Sequence, residues 1–143
     1  MKTINFKSAQ VIKRMPMPIK YSEAPDVKER VNEIIANLDL FHVVHQNVFC
    51  IRSKGSKSKR IIARIHGLGK IWQETLNLPP TYIIEVISER YDKLPEEEKD
   101  KTLIHELLHI PQGFSGGFRP HRGYVTRVKV EQLYAKLKQK RQG

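Results

Sequence analysis

With a single cysteine in 143 residues, Cys50, the chain has no partner for an intramolecular disulfide and no thiolate cluster for a metal. Set in the apolar run NVFCI, Cys50 reads as a small buried side chain rather than a reactive thiol. No apolar run approaches the ~18 to 20 residues that span a bilayer. The opening MKTINFKSAQ also lacks the hydrophobic region of a secretory signal, so the expectation is a cytoplasmic protein without membrane contact. Acids are scarce: 15 Asp and Glu face 26 Lys and Arg, for a formal net charge of +11. Aromatics make up only 8%, yet 39% hydrophobic residues can build a core, and charge without long repetitive runs excludes a wholly disordered chain. The length fits one domain, residues 1–143, and not two.

The distribution of charge says more than its sum. Residues 40–73 carry no acid but hold Arg52, Lys54, Lys57, Lys59, Arg60, Arg64 and Lys70. From Glu74 to Glu106 nine acids face four bases, and after Glu106 the only acid is Glu131, against eight bases. Two basic segments therefore flank an acidic middle, an arrangement that could meet nucleic acid through phosphate contacts and counterion release. A basic solvated surface is the plainer reading, and no base-reading motif is visible.

The first twenty residues, with five bases, no acids and two prolines, read as an extended basic arm. In APDVKERVNEIIAN, Val27, Val31, Ile34 and Ile35 form the apolar stripe of an amphipathic helix. HVVHQNVFCIRS reads as a strand, SKGSKSK as a turn or mobile loop, and Arg60 to Ile65 as a second strand paired with the first. TYIIEVISE, after Pro79 and Pro80, is the clearest strand. PEEEKDKTLIHELLHI is the clearest helix, with Pro95 and three glutamates at its start and Pro111 at its end. After the connector GFSGGFRP, VTRVKVEQLYAKLKQK predicts a basic helix with Val130, Leu133, Tyr134 and Leu137 inward.

Within the clearest helix stands HELLH, residues 105–109. Two histidines four apart lie one turn over the other, ~5 to 6 Å between Cβ atoms, so both imidazoles can reach one zinc ion. Glu106 lies beside that face and can accept a proton from a water on the metal. At 100° per residue from Leu103, the side chains of Ile104, Leu107, Leu108 and Ile110 form one apolar arc, and His105 and His109 fall outside it at about 200° and 240°. The helix thus buries one side and aims both histidines at a cleft.

A catalytic zinc takes three protein ligands and keeps a fourth position for water. The metzincin spacing needs a glycine at 112 and a histidine at 115, where this chain has Gln112 and Ser115. Downstream, His121 and Glu131 compete for the third place. GFSGG gives the chain freedom to fold back, and neutral imidazole suits zinc, so His121 is favoured. Glu131 would give a thermolysin-like set, or else be a surface carboxylate paired with Lys or Arg. Arg119, Arg122 and Tyr124 surround His121 and are candidates to stabilise the oxyanion, Tyr124 foremost by analogy with proton-donating tyrosines. His42, His45 and His66 have no local ligand pattern and read as core or surface residues.

The run LIHELLHIP through SGGFRPH, with IWQ at Ile71 to Gln73 and YIIEVI at Tyr82 to Ile87, resembles the predicted archaeal and phage metallopeptidases, a small zincin group related to the SprT-like (Spartan) proteases. The resemblance covers roughly the last half of the chain. It implies His105, His109 and His121 as zinc ligands and Glu106 as general base. It also implies an α+β zincin-like fold: a helix packed on a short, mostly antiparallel three-stranded sheet, then the HExxH helix and a C-terminal helix. An edge strand of such a sheet commonly holds the substrate peptide extended. SprT-like proteases are associated with cleaving proteins bound to DNA, and the basic segments would suit that role.

The expected function is therefore zinc-dependent peptide hydrolysis, with a protein or peptide substrate. The competing reading is a non-catalytic nucleic-acid-binding module with a structural metal, which would need a closed four-ligand site. A scaffold that has lost catalysis is a third, against which an intact Glu106 argues.

Overall fold

The computed structural model describes residues 18–143. Most of the expected basic arm, residues 1–17, lies outside the described residues, while its last residue, Lys20, opens a strand. The elements are β1 (Lys20–Glu23), α1 (Pro25–Asn37), a 3-10 turn (His45–Asn47), β2 (Val48–Lys54), β3 (Ala63–Gly67), α2 (Lys70–Leu76), β4 (Tyr82–Ile87), α3 (Ser88–Tyr91), α4 (Glu96–Leu108) and α5 (Arg127–Gln142).

The α+β class holds, with differences in the sheet. Among the described residues there are four strands, in the order β1-β2-β4-β3, rather than three. β1 pairs antiparallel with β2, β2 parallel with β4, and β3 antiparallel with β4. The expected pairing of the Arg60 to Ile65 strand with its predecessor does not form. Composition explains the order. In β4 the side chains of Tyr82, Ile84 and Val86 are buried on one face while Glu85 and Ile87 are buried on the other, so this strand takes the centre. β3 carries Arg64 and His66 and tolerates an edge. β1, the sequence KYSE, is exposed throughout and shows no hydrophobic alternation to reveal it.

Helices α1 and α4 cover the sheet, and α5 packs on α4. Pro25 stands in the first turn of α1, whose buried residues are the predicted Val27, Val31, Ile34 and Ile35. In α5, Val130 and Leu137 are buried, with Leu133 and Tyr134 partly so. Cys50 is buried, and burial pushes its thiol up to about 11, which keeps it protonated and inert.

Asp100, on α4, has a side chain only 2% exposed and ties three helices together. It accepts from Arg30 of α1 at 2.9 Å and from Arg141 of α5 at 2.6 Å, while Glu33 takes the other side of Arg141 and Glu96 that of Arg30. Burial alone would raise the Asp100 pKa, but the bonds from Arg141 and Arg30 outweigh it and hold the carboxyl below its ordinary range. At the start of α1, Arg52 pairs with Asp26 and also with Asp92, and its bond holds Asp26 down at about 2. Carboxyls lowered by folding stabilise the protein above their unfolded values, near ~3.9, and that stability is lost as pH falls through the folded values. Thermal melts should therefore decline steeply from pH 4 toward 2, and Asp100→Asn should flatten that decline. At neutral pH this variant should cost about 2 to 3 kcal/mol. That is less than the ~3 to 5 for a fully buried pair, because both arginines keep a second carboxylate.

Candidate metal centre

Helix α4 presents the HELLH segment as its periodicity requires. Leu103, Ile104, Leu107, Leu108 and Ile110 are buried, while His105 and His109 are half-buried and face outward. The helix ends at Leu108, yet His109 keeps helical angles (φ −70°, ψ −18°), so the one-turn relation to His105 survives.

His121 comes back to the same place. Ring centroids lie 5.2 Å apart for His105 and His109, 5.3 Å for His105 and His121, and 4.5 Å for His109 and His121. One nitrogen from each of the three rings lies within 4.8 Å of the others. A tetrahedral ion with bonds of ~2.0 to 2.1 Å asks for ~3.3 Å between donors, a contraction that small side-chain rotations supply. The donor set fits a transition metal. His105 is pushed down to about 4, first by burial and then by repulsion from His109 and His121, so its ring is neutral at pH 7. His109 Nδ1 stands 2.8 Å from the carbonyl oxygen of Arg119, which can only accept; Nδ1 therefore carries the proton and Nε2 holds the free lone pair. The Arg119 N–H returns a bond to the His109 carbonyl at 2.7 Å.

Glu106 is buried beside the cluster, and burial pushes its carboxyl up to about 7. Glu106 lines two adjoining grooves of about 640 and 500 Å³ that also share His105, Ile61 and Ala63. Edge strand β3 forms the opposite wall. Ile87 N–H donates to Ile62 O and Leu68 N–H to Thr81 O, at 2.8 and 2.9 Å. Alternation then turns the backbone groups of Arg64 and His66 toward β4, and those of Ala63 and Ile65 outward over the grooves.

The remaining candidates are placed as follows. Glu131 lies on α5 with its carboxylate 3.1 Å from Lys101 Nζ, outside the three-histidine cluster. Arg119 lines the smaller groove with its guanidinium 5.2 Å from the centre of the Tyr124 ring. Tyr124 is about half exposed, in the turn that His121 opens, its N–H 3.3 Å from the His121 carbonyl. Arg122 is exposed in that same turn. The upstream histidines stay apart from the cluster: His42 bonds the Ile110 carbonyl, His45 sits in the 3-10 turn, and His66 bonds Glu85 at 2.8 Å.

Two contributors were not foreseen. The Tyr82 hydroxyl accepts from Gly116 N–H at 2.9 Å and donates to Gly117 O at 2.8 Å, and Gln73 Nε2 donates to Leu68 O and Ser115 O, both at 2.7 Å. A buried tyrosine in a central strand was the available signal, since its hydroxyl must find a partner. Gly116 has φ +100°, and a Cβ there would lie 2.2 Å from Leu68 O, so the connector passes where only glycine fits.

Among the described residues no helix is long and apolar enough to cross a membrane. A family model described as "Putative phage metallopeptidase" matches residues 19–138. Comparison with curated proteins and with solved structures gives no match.

Proposed function

We propose, from the premise that this chain belongs to the phage metallopeptidase family, that it is a zinc-dependent peptidase with His105, His109 and His121 as the metal ligands and Glu106 as the general base. The observation that carries this reading is one constellation: three convergent imidazoles, a buried carboxylate beside them, and the unpaired backbone of β3 facing both across a groove.

Zinc held by these rings would supply Lewis acidity, bringing a water's pKa toward neutrality and polarising the scissile carbonyl. The chain's own groups do the rest. Ala63 and Ile65 offer N–H and C=O to an extended peptide, which adds as a fifth strand and is aligned past Glu106. Glu106 takes the proton of the attacking water and passes it to the leaving amine. A cation held by the three rings would favour the carboxylate form of Glu106, against the burial that raises its pKa. Arg119 or Tyr124 donates to the oxyanion.

A closed structural zinc would need four protein donors, and the cluster among the described residues has three. Substrates associated with nucleic acid are part of the proposal. Arg60 and Arg127, one from each basic segment, line the larger groove alongside Glu98 and Glu131, so support for a nearby polyanion rests on the chain's net charge of +11 and its two basic segments.

The test is hydrolysis of an unfolded protein by the zinc-loaded enzyme, with and without DNA. A chelator should stop it and added zinc restore it. Tyr124→Phe should lower kcat about 100-fold with zinc content unchanged if Tyr124 is the donor. An unchanged kcat would remove Tyr124 from that role. Hydrolysis indifferent to chelation would overturn the metallopeptidase reading.

A further inference from the structure

The third histidine is the one ligand of the proposed site that neither α4 nor the residue capping its C-terminus supplies. It arrives through a connector from Ile110 to Pro120 with three glycines, a segment free to wander unless something holds it. Nearly every residue of the connector's second half is held, and largely by the same two side chains. Phe114 (φ 44°) is buried with its ring 5.0 Å from that of Tyr82. Ser115 O accepts from Gln73, Gly116 and Gly117 bond the Tyr82 hydroxyl, and the Phe118 ring lies 5.9 Å from Tyr82. Arg119 is then tied to His109 at both its N–H and its carbonyl, and Pro120 leads into His121.

We propose that Tyr82 and Gln73 are positioning residues of the metal centre, a template on β4 and α2 that shapes residues 114–118 and so delivers His121 to the ring nitrogens of His105 and His109. This rests on the reading of His121 as a ligand. The backbone alone does not explain the arrangement. Tyr82 is fully buried at the start of the central strand, where a phenylalanine would pack equally well, yet its hydroxyl satisfies a donor and an acceptor of the connector at once. Gln73 likewise spends both hydrogens of one amide nitrogen on carbonyls from two segments, joining Leu68, which follows β3, to Ser115. Burial also pushes the Tyr82 phenol above its ordinary range, so it keeps its proton to donate. Groups that orient a metal's ligands are worth about 10- to 100-fold in affinity without touching the ion.

The experiment compares Tyr82→Phe, Gln73→Ala, His121→Ala and the core truncation Ile34→Val in α1 with the full wild-type chain. Zinc affinity is read by competition with a chromogenic chelator, and coordination by the visible absorption of the cobalt-substituted protein. Tyr82→Phe and Gln73→Ala should each weaken zinc about 10- to 100-fold and alter the cobalt spectrum toward that of His121→Ala. Ile34→Val, which only destabilises, should leave both unchanged. Wild-type affinity and spectrum in Tyr82→Phe and Gln73→Ala, with metal lost in His121→Ala, would overturn the positioning role and leave the site reading intact. Full binding in His121→Ala would overturn the ligand assignment and the template with it. Gln73 is in a separate element from Tyr82, so a folding failure in one variant leaves the other to decide.

Discussion

Glu106→Gln should bind zinc as wild type does and hydrolyse peptides at least about 100-fold more slowly, and up to about 10⁴-fold. The amide has the size and shape of the carboxylate, so the apolar arc of α4 and the outward histidines are undisturbed. What it lacks is the ability to accept a proton from water. Glu106 is buried and has no ion-pair partner within the described residues, and burial alone accounts for its raised pKa. A neutral amide is easier to keep there than a charge, so the variant should melt at or above the wild-type temperature. Steady-state kinetics, zinc content and a thermal melt on one preparation check all three. Residual activity within a few-fold of wild type would remove Glu106 from the base role.

Leu107→Ala should cost about 2 to 5 kcal/mol, the range for removing a fully buried leucine and leaving part of its cavity. Leu107 is 1% exposed and sits on the buried arc of the helix that carries Glu106, His105 and His109 on its other side. For a chain of this size the loss is a melting temperature lower by about 6 to 15 °C. Zinc should recover part of it, because a ligand that binds only the folded state stabilises by mass action. The metal site itself should persist at 20 °C, with one ion per chain. Differential scanning calorimetry with and without zinc reads both effects, and a drop below about 1 kcal/mol would mean that α4 is not the packed core element described.

How much of this was legible beforehand depended on whether the signal was local. The HExxH helix could be read almost entirely from one turn of periodicity: its buried arc and its outward histidines stand where 100° per residue puts them. His121 stood out as the only histidine downstream, behind a glycine-rich connector able to fold back, and the folded chain brings it beside His105 and His109. Sheet order was not legible. Whether β2 pairs with β3 or lets β4 pass between them depends on β4 being buried on both faces, a property of the assembled core. β1 escaped notice because KYSE has no apolar face, and its pairing with the edge of β2 is made by backbone alone. The strand expected from His42 begins only at Val48, after a turn in which Lys28 of α1 caps the Val48 carbonyl at 2.6 Å, a contact 20 residues apart in sequence. Tyr82 and Gln73 were visible as residues but not as supports, since their partners lie 34 to 42 residues downstream.

The central claim is that three histidines, and not Glu131, make the metal site. Elemental analysis of protein purified without affinity-tag histidines, for wild type, His121→Ala and Glu131→Ala side by side, addresses it most directly. The account predicts about one zinc per chain in wild type and in Glu131→Ala, and loss of the metal in His121→Ala. Metal retained in His121→Ala and lost in Glu131→Ala, or no metal in wild type even after zinc is offered, would contradict it.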